Sequence, residues 1–357
     1  VALEKGISIK AQFFFVSLLS LFCSFPLLGE EIRYGDDVKA RPPSSSVPAT
    51  RSAQEVLAAV PWVNLRRNPR AASPSSGDDK PVLSDPDQIS QVLLSESLWV
   101  LEEQDGWLFV EAPEQPAYAR GEWKGLSGWV RQEDVLLKPV GFTPNATVCV
   151  RYGRVQEKKG TLSRFLSVPM GARVFVIFSE KKWARVTDAN ARMGWIRLAD
   201  IRRDRDPLGD EQTIRKSLVD AALAFLGEPV CPGGRTGHRP KEKYVSSGVD
   251  TDGLVNLAYR SAGFQVPRLA PDQFRASAPI ERASDLRPGD LVFLSGSETG
   301  GIDSVLFYEG GENLIQAKTG DRVKRVQFSS LFGKSKRALV AGSLGTQWVQ
   351  FGKLIRQ

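Results

Sequence analysis

The chain has 357 residues, 41% of them hydrophobic and 25% charged, with a formal net charge of +7 and an isoelectric point near 9.3. That length calls for two or three domains, and the composition allows each to build a core. The positive charge is scattered, as in Arg202-Arg203-Asp204-Arg205-Asp206, so it forms no stripe along a phosphate backbone and no nucleic-acid partner is expected.

Near the start, Lys5 and Lys10 precede the apolar run Phe13-Phe14-Phe15-Val16-Ser17-Leu18-Leu19-Ser20-Leu21-Phe22. The run is short for a membrane span and has the make-up of a secretory signal, which we expect over residues 1–29. It implies export to the periplasm or cell envelope. Lipid anchoring at Cys23 is the lesser alternative, because Phe22 is bulkier than the small residue that should precede such a site. With Cys23 set aside, Cys149 and Cys231 are too few for a disulfide framework, and sequence does not decide whether they pair. No CxxC or His-rich spacing marks a metal site, and no cofactor is expected.

Residues 30–55 include Arg41-Pro42-Pro43-Ser44-Ser45-Ser46-Val47-Pro48 and read as a Pro/Ser-rich tether. A pattern then occurs twice. The first copy runs Val63-Asn64-Leu65-Arg66, Leu98-Trp99-Val100-Leu101-Glu102, Gly106-Trp107-Leu108-Phe109-Val110 and Gly128-Trp129-Val130-Arg131, closing with Asp134-Val135. The second runs Val148-Cys149-Val150-Arg151, Arg173-Val174-Phe175-Val176-Ile177, Lys182-Trp183-Ala184-Arg185-Val186 and Gly194-Trp195-Ile196-Arg197, closing with Asp200-Ile201. Alternating apolar and polar residues, rich in Val, Ile and Trp, predict short strands of a small barrel. The recurring order resembles the bacterial SH3-like module, giving two such domains at 56–138 and 139–206. The first copy carries an insertion between Trp107 and Trp129. Its aromatic and charged residues Glu114, Tyr118, Glu122 and Trp123 make it either a recognition loop or a long hairpin.

From Pro207 the texture changes, and a third domain is expected at 207–357. Ile214, Leu218, Ala221, Ala222 and Phe225 line one face of a helix ended by Gly227. Asp250 reads as the N-cap of a second helix that ends at Gly263. Strands are predicted at 291–294, 305–308, 314–317, 323–326, 338–341 and 348–351. Helices followed by an antiparallel meander define an α+β domain.

Gly248-Val249-Asp250-Thr251-Asp252-Gly253-Leu254-Val255, Leu286-Arg287-Pro288-Gly289-Asp290-Leu291-Val292-Phe293, Gly301-Ile302-Asp303-Ser304-Val305 and Leu314-Ile315-Gln316-Ala317 occur in that order. Together they resemble the NlpC family of papain-like cell-wall cysteine peptidases. The resemblance implies a multidomain chain: two all-β SH3-like barrels followed by a papain-like α+β domain. It also implies a cysteine at the head of the second helix, a histidine on the following strand and a third polar group to orient the imidazole. Here those positions hold Thr251, Ser304 and Gln316, and Val230 replaces a tyrosine. A hydroxyl without a base does not attack an amide, and removing such groups costs on the order of 10⁶ in turnover. Catalytic residues at the family positions are therefore not expected.

Three readings follow. In the first, the protein is an inactive pseudoenzyme that binds peptidoglycan stem peptides. Relatives with this layout hold the peptide's free amine with the aspartate before the nucleophile and with groups from the first SH3-like module. The candidate binding residues are then Asp250, Asp252, Arg235, Glu114, Tyr118, Glu122 and Trp123. In the second, it is an active cysteine-type endopeptidase, cutting between D-glutamate and a diamino acid, with the relocated pair Cys231 and His238, the only histidine. A carboxylate site from Asp250, Asp252 and Asp303 is a further route to chemistry. In the third, it is an interaction module for another envelope protein.

Overall fold

The computed structural model describes residues 54–70, 85–161, 166–239 and 246–355. The expected signal, Cys23 and nearly all of the tether lie outside the described residues. Among those described, no helix is long and apolar enough to cross a membrane.

The first part is an antiparallel sheet of β1 (Glu55–Ala58), β2 (Trp62–Arg66), β3 (Gln88–Leu93), β4 (Ser97–Gln104), β5 (Trp107–Ala119), β6 (Glu122–Arg131) and β7 (Val135–Leu137). The strand order is β3-β2-β6-β5-β4-β1-β7. Period-two alternation sends Leu108, Val110 and Ala112 of β5 inward, where they meet Val56, Val63, Leu65, Leu98 and Val130. Asp105 and Gly106 both have positive φ, 48° and 79°, as a two-residue hairpin turn requires. The inserted segment is not a loop. β5 and β6 continue past a bulge between Ala112 and Pro116, pairing Tyr118 with Trp123 and turning at Arg120-Gly121.

The second part contains β8 (Ala146–Val148), β9 (Tyr152–Val155), β10 (Leu166–Pro169), β11 (Arg173–Glu180), β12 (Trp183–Thr187), β13 (Met193–Arg197) and β14 (Ile201–Arg203). Its order, β13-β12-β11-β8-β14, repeats β6-β5-β4-β1-β7 strand for strand. The remaining hairpins correspond as well, since the Arg66–Trp129 pairing is matched by a Gln156–Trp195 bridge. Each copy enters its last strand from a 3₁₀ turn, Gln132–Asp134 in one and Leu198–Asp200 in the other. The tandem pattern is thus a repeat of topology.

The third part contains α1 (Glu211–Leu223), α2 (Thr251–Ser261), α3 (Ala270–Ala276), β15 (Ala278–Ile280), β16 (Leu291–Ser295), β17 (Ser304–Gly310), β18 (Asn313–Gln316), β19 (Lys324–Gln327), α4 (Phe328–Phe332), β20 (Gly342–Leu344) and β21 (Gln347–Lys353). Asp210 and Asp250 cap α1 and α2, accepting from the Thr213 and Gly253 N–H groups. The sheet runs β15-β21-β16-β17-β18-β19 with β20 on β21, and both its faces are covered. Leu291 and Phe293 pack toward the helices, while Val292 and Leu294 join Leu306, Phe328, Phe332 and Phe351 on the other side. The expected strand at 338–341 is not formed. Only Leu339 of that run is well buried, Val340 is 59% exposed, and the edge strand begins at Gly342. α3 and α4 were not foreseen, because seven and five residues are too short to show helical periodicity.

Candidate functional site

The head of α2 is built by close backbone approach. A side chain at Gly253 would place Cβ 2.1 Å from the Gly234 carbonyl oxygen, so only glycine lets the Gly233-Gly234 loop lie against the helix start. Asp250 Oδ1 accepts the Gly253 N–H at 2.7 Å, and Oδ2 accepts the Gly233 N–H at 2.7 Å and Arg268 Nη2 at 2.9 Å. Arg268 is fully buried; it also donates through Nε to Ser90 Oγ at 3.0 Å, and its Nη1 has no partner among the described residues.

Thr251 occupies the first turn of α2, 6% exposed, and its hydroxyl donates to the Ala317 carbonyl at 2.9 Å. Ala317 directly follows Gln316, so the helix head and the end of β18 touch. Ser304 opens β17 opposite Leu294. The neighbouring Asp303 carboxylate accepts the Gly296 N–H at 2.9 Å, a turn contact that occupies one of its oxygens. Among the described residues, no group of three or more His, Cys, Asp or Glu is placed to hold a metal ion. Asp252 accepts the Ala270 N–H at 2.8 Å; burial, reinforced by the charge of Asp250, pushes its pKa up to about 6.

Cys231 and His238 do not form a dyad. The Cys231 thiol is buried, 3.7 Å from Gln88 Nε2, and burial pushes it up to about 11. At neutral pH that leaves about one thiolate in ten thousand, the reverse of an activated nucleophile. The His238 ring lies 3.3 Å from the Ser247 carbonyl, and among the described residues no hydrogen bond joins it to Cys231. Cys149 and Cys231 are both free thiols.

Two expected ligand contacts serve as joints instead. Arg235 is fully buried, bonded to Glu96 at 2.9 and 3.0 Å, to Asn256 Oδ1 at 3.0 Å and to the Gln91 carbonyl at 2.6 Å. Burial opposes ionisation of Glu96, but the Arg235 and Arg260 guanidiniums outweigh it and hold the carboxyl below its ordinary range. Glu114 joins the same network, accepting Arg260 Nη2 at 2.8 Å and the Ser97 N–H at 2.9 Å. These ions tie the first sheet to α2, so Arg235 and Glu114 are structural.

Tyr118 faces the third part, with Trp123 packed on it. Their rings meet edge to face at 5.4 Å, and the Arg275 guanidinium lies 4.0 Å over Tyr118. Glu122 pairs with Lys124 at the tip, with more than half of its side chain exposed. The link from hairpin to helix head runs through residues 268–276, which the sequence reading missed. Arg268 N–H donates to the Pro116 carbonyl at 3.3 Å, and Asp272 accepts the Tyr118 N–H, with burial pushing its pKa up to about 6. A charged residue inside Val266-Pro267-Arg268-Leu269-Ala270 was the available signal, since a lone ion in an apolar run needs a buried partner. The structure therefore brings Asp250, Asp252 and Tyr118 to one segment, with Trp123 against Tyr118 and Glu122 beyond it.

Residues 232–340 match the model of the NlpC/P60 family, and the C-terminal part of the chain is an NlpC/P60 domain. The chain is homologous to peptidases of that family. It is 27% identical over 256 residues to a gamma-D-glutamyl-L-lysine dipeptidyl-peptidase of Bacillus subtilis (strain 168), covering 66% of this chain and 74% of that protein. Over 122 residues it is 33% identical to the murein DD-endopeptidase MepH of Escherichia coli (strain K12), covering 33% of this chain and 42% of that protein. The crystal structure of an NlpC/P60 family protein from Bacillus cereus ATCC 10987 superposes with a TM-score of 0.63 at 21% identity, covering 77% of this chain and 94% of that one. The β-rich N-terminal region and the C-terminal domain thus share an overall fold with that protein.

Proposed function

We propose that this chain is an exported, envelope-associated pseudoenzyme of the NlpC/P60 family that binds peptidoglycan stem peptides without cleaving them. The observation that carries the reading is Thr251: the residue at the head of α2 is a hydroxyl whose hydrogen is committed to the Ala317 carbonyl. It has no sulfur to ionise, the histidine position is Ser304, and the chain's one imidazole is engaged at Ser247. The duplicated strand order supports two SH3-like modules at 56–138 and 139–206 ahead of the family domain at 207–357.

The peptide's free amine would meet Asp250, which keeps 21% of its side chain exposed beside Arg268. Asp252 lies next to it, and the ligand would also meet Tyr118, Trp123 and Glu122 of the hairpin. Arg235 and Glu114 leave the ligand set. The kinship with a dipeptidyl-peptidase named for the gamma-D-glutamyl-L-lysine bond favours a stem tripeptide as ligand.

The test is calorimetric titration with L-alanyl-γ-D-glutamyl-diamino acid tripeptide, with the mixture then resolved by mass spectrometry. Saturable heat with intact peptide is expected, and Asp250→Asn should abolish it. Cleavage by repurified protein would end the pseudoenzyme reading; absence of heat would end the peptide-binding one.

A further inference from the structure

The second β part carries a solvent face that the stem-peptide reading leaves unused. Register aligns two rows across β11, β12 and β13: Phe178, Arg185 and Trp195 in one, Glu180, Trp183 and Arg197 in the next. The rows belong to the outer face, because Ala184, Val186 and Ile196 between them point into the core. Phe178 is 50% exposed and packs edge-on against Trp195 at 5.6 Å. Cations lie beside each tryptophan: Lys159 at 4.0 Å and Arg185 at 5.5 Å from the Trp195 ring, and Arg197 at 5.9 Å from Trp183. The result is a checkerboard of aromatic and cationic groups.

The duplicate provides an internal control. In the first part the corresponding tryptophan and arginine, Trp107 and Arg131, are also register partners, with ring and guanidinium 5.6 Å apart. There, however, Arg131 is neutralised by Glu133 at 2.9 Å, and Phe109 stands where the second part has Arg185. In the second part neither Arg185 nor Arg197 has an ion-pair partner among the described residues, and the carboxylate within these two rows, Glu180, is held by Lys159. Asp200 lies within electrostatic reach of Arg197, as Asp134 does of Arg131 in the first copy, so the second face differs by Arg185 and by the lack of a direct ion pair on Arg197.

We propose that this outer face of β11, β12 and β13 is a docking surface for a carboxylate-bearing glycan strand. Sugar rings present apolar C–H faces to aromatic side chains, and arginines pair with carboxylates. Rows two residues apart stand roughly 7 Å from one another, so a linear polymer can engage both. The scattered charge elsewhere offers no continuous track for a phosphate backbone, which favours a sugar polymer over a nucleic acid. The inference rests on the envelope reading only for where such a polymer is met.

The experiment uses the full chain with insoluble peptidoglycan stripped of its stem peptides by an amidase, which leaves glycan strands with free lactyl carboxylates. The wild-type chain should co-sediment with them, and Arg185→Gln/Arg197→Gln should weaken the apparent affinity at least about tenfold. The double variant should keep the wild-type melting temperature and its tripeptide titration, and excess tripeptide should not release the wild-type chain. The proposal fails if the wild-type chain does not sediment or if the double variant sediments equally well. It fails equally if vesicles of anionic phospholipid or single-stranded DNA bind the wild-type chain as tightly as the stripped glycan. Loss of tripeptide binding with glycan binding intact would refute the stem-peptide reading alone.

Discussion

Replacing Glu96 with alanine tests the claim that a buried ion network joins the first sheet to the family domain. Glu96 is 1% exposed and meets Arg235 at 2.9 and 3.0 Å and Arg260 at 3.2 Å, while its Oε2 also accepts the Leu93 N–H at 2.9 Å. The substitution leaves the fully buried Arg235 guanidinium without a counter-charge. Stranding one ion of a buried pair costs about 3–5 kcal/mol, a large share of a typical stability of about 5–15 kcal/mol. With a urea m-value on the order of 3 kcal/mol/M for a chain of this size, the midpoint should fall by roughly 1–1.7 M. Adding Arg235→Met to Glu96→Leu should recover part of the loss, because two apolar side chains replace the pair without stranding a charge. A midpoint for Glu96→Ala within about 0.2 M of wild type, or a double variant losing the sum of its single effects, would refute the argument.

Asp252 and Asp272, both raised to about 6 by burial, bind protons more tightly folded than unfolded. Their contribution is therefore fully present below the ordinary aspartate range and is lost as pH rises through about 6. Asp252→Asn and Asp272→Asn should each gain on wild type between pH 4 and pH 7.5, by on the order of 1–3 kcal/mol in denaturant melts, and parallel profiles would contradict the shifts. Thr251→Cys/Ser304→His should show tripeptide cleavage above background while either single change does not, since nucleophile and base act as a unit. Cleavage by a single variant would contradict that coupling. Cys231 should resist iodoacetamide at pH 8 in the native chain and react on unfolding, as peptide mass mapping would show. Rapid native labelling would contradict its burial.

The tandem repeat was legible because period-two alternation and Gly-Trp pairs survive in both copies, and the matching strand orders show that pattern to be topological. α1 was legible from the apolar face of Ile214, Leu218, Ala221 and Ala222, and α2 from its cap, Asp250. α3 was not, because it starts after Leu269 without a side-chain cap. Ala338-Leu339-Val340-Ala341 misled because four apolar residues imitate a buried strand where one side chain is inserted. At the site, the positions of Thr251, Ser304 and Gln316 follow from chain order. The pairing of Asp250 with Arg268, or of Glu96 with Arg235, depends on folding distant segments together and leaves no local trace. Glu114 was taken for a ligand contact because its segment is charged and aromatic; only three-dimensional placement shows Arg260 beside it.

One apolar cluster includes Trp62, Leu93 and Leu94 from the first sheet, Val148, Val168 and Val174 from the second, and Leu218, Leu254, Leu257 and Phe293 from the family domain. Parts that the strand orders present as separate modules consequently have a common interior. Cutting between them would bare oily surface on every fragment, so the architecture resists the excision and shuffling that beads on a string permit. A change that swells or shrinks one part is therefore felt in the packing of the other two.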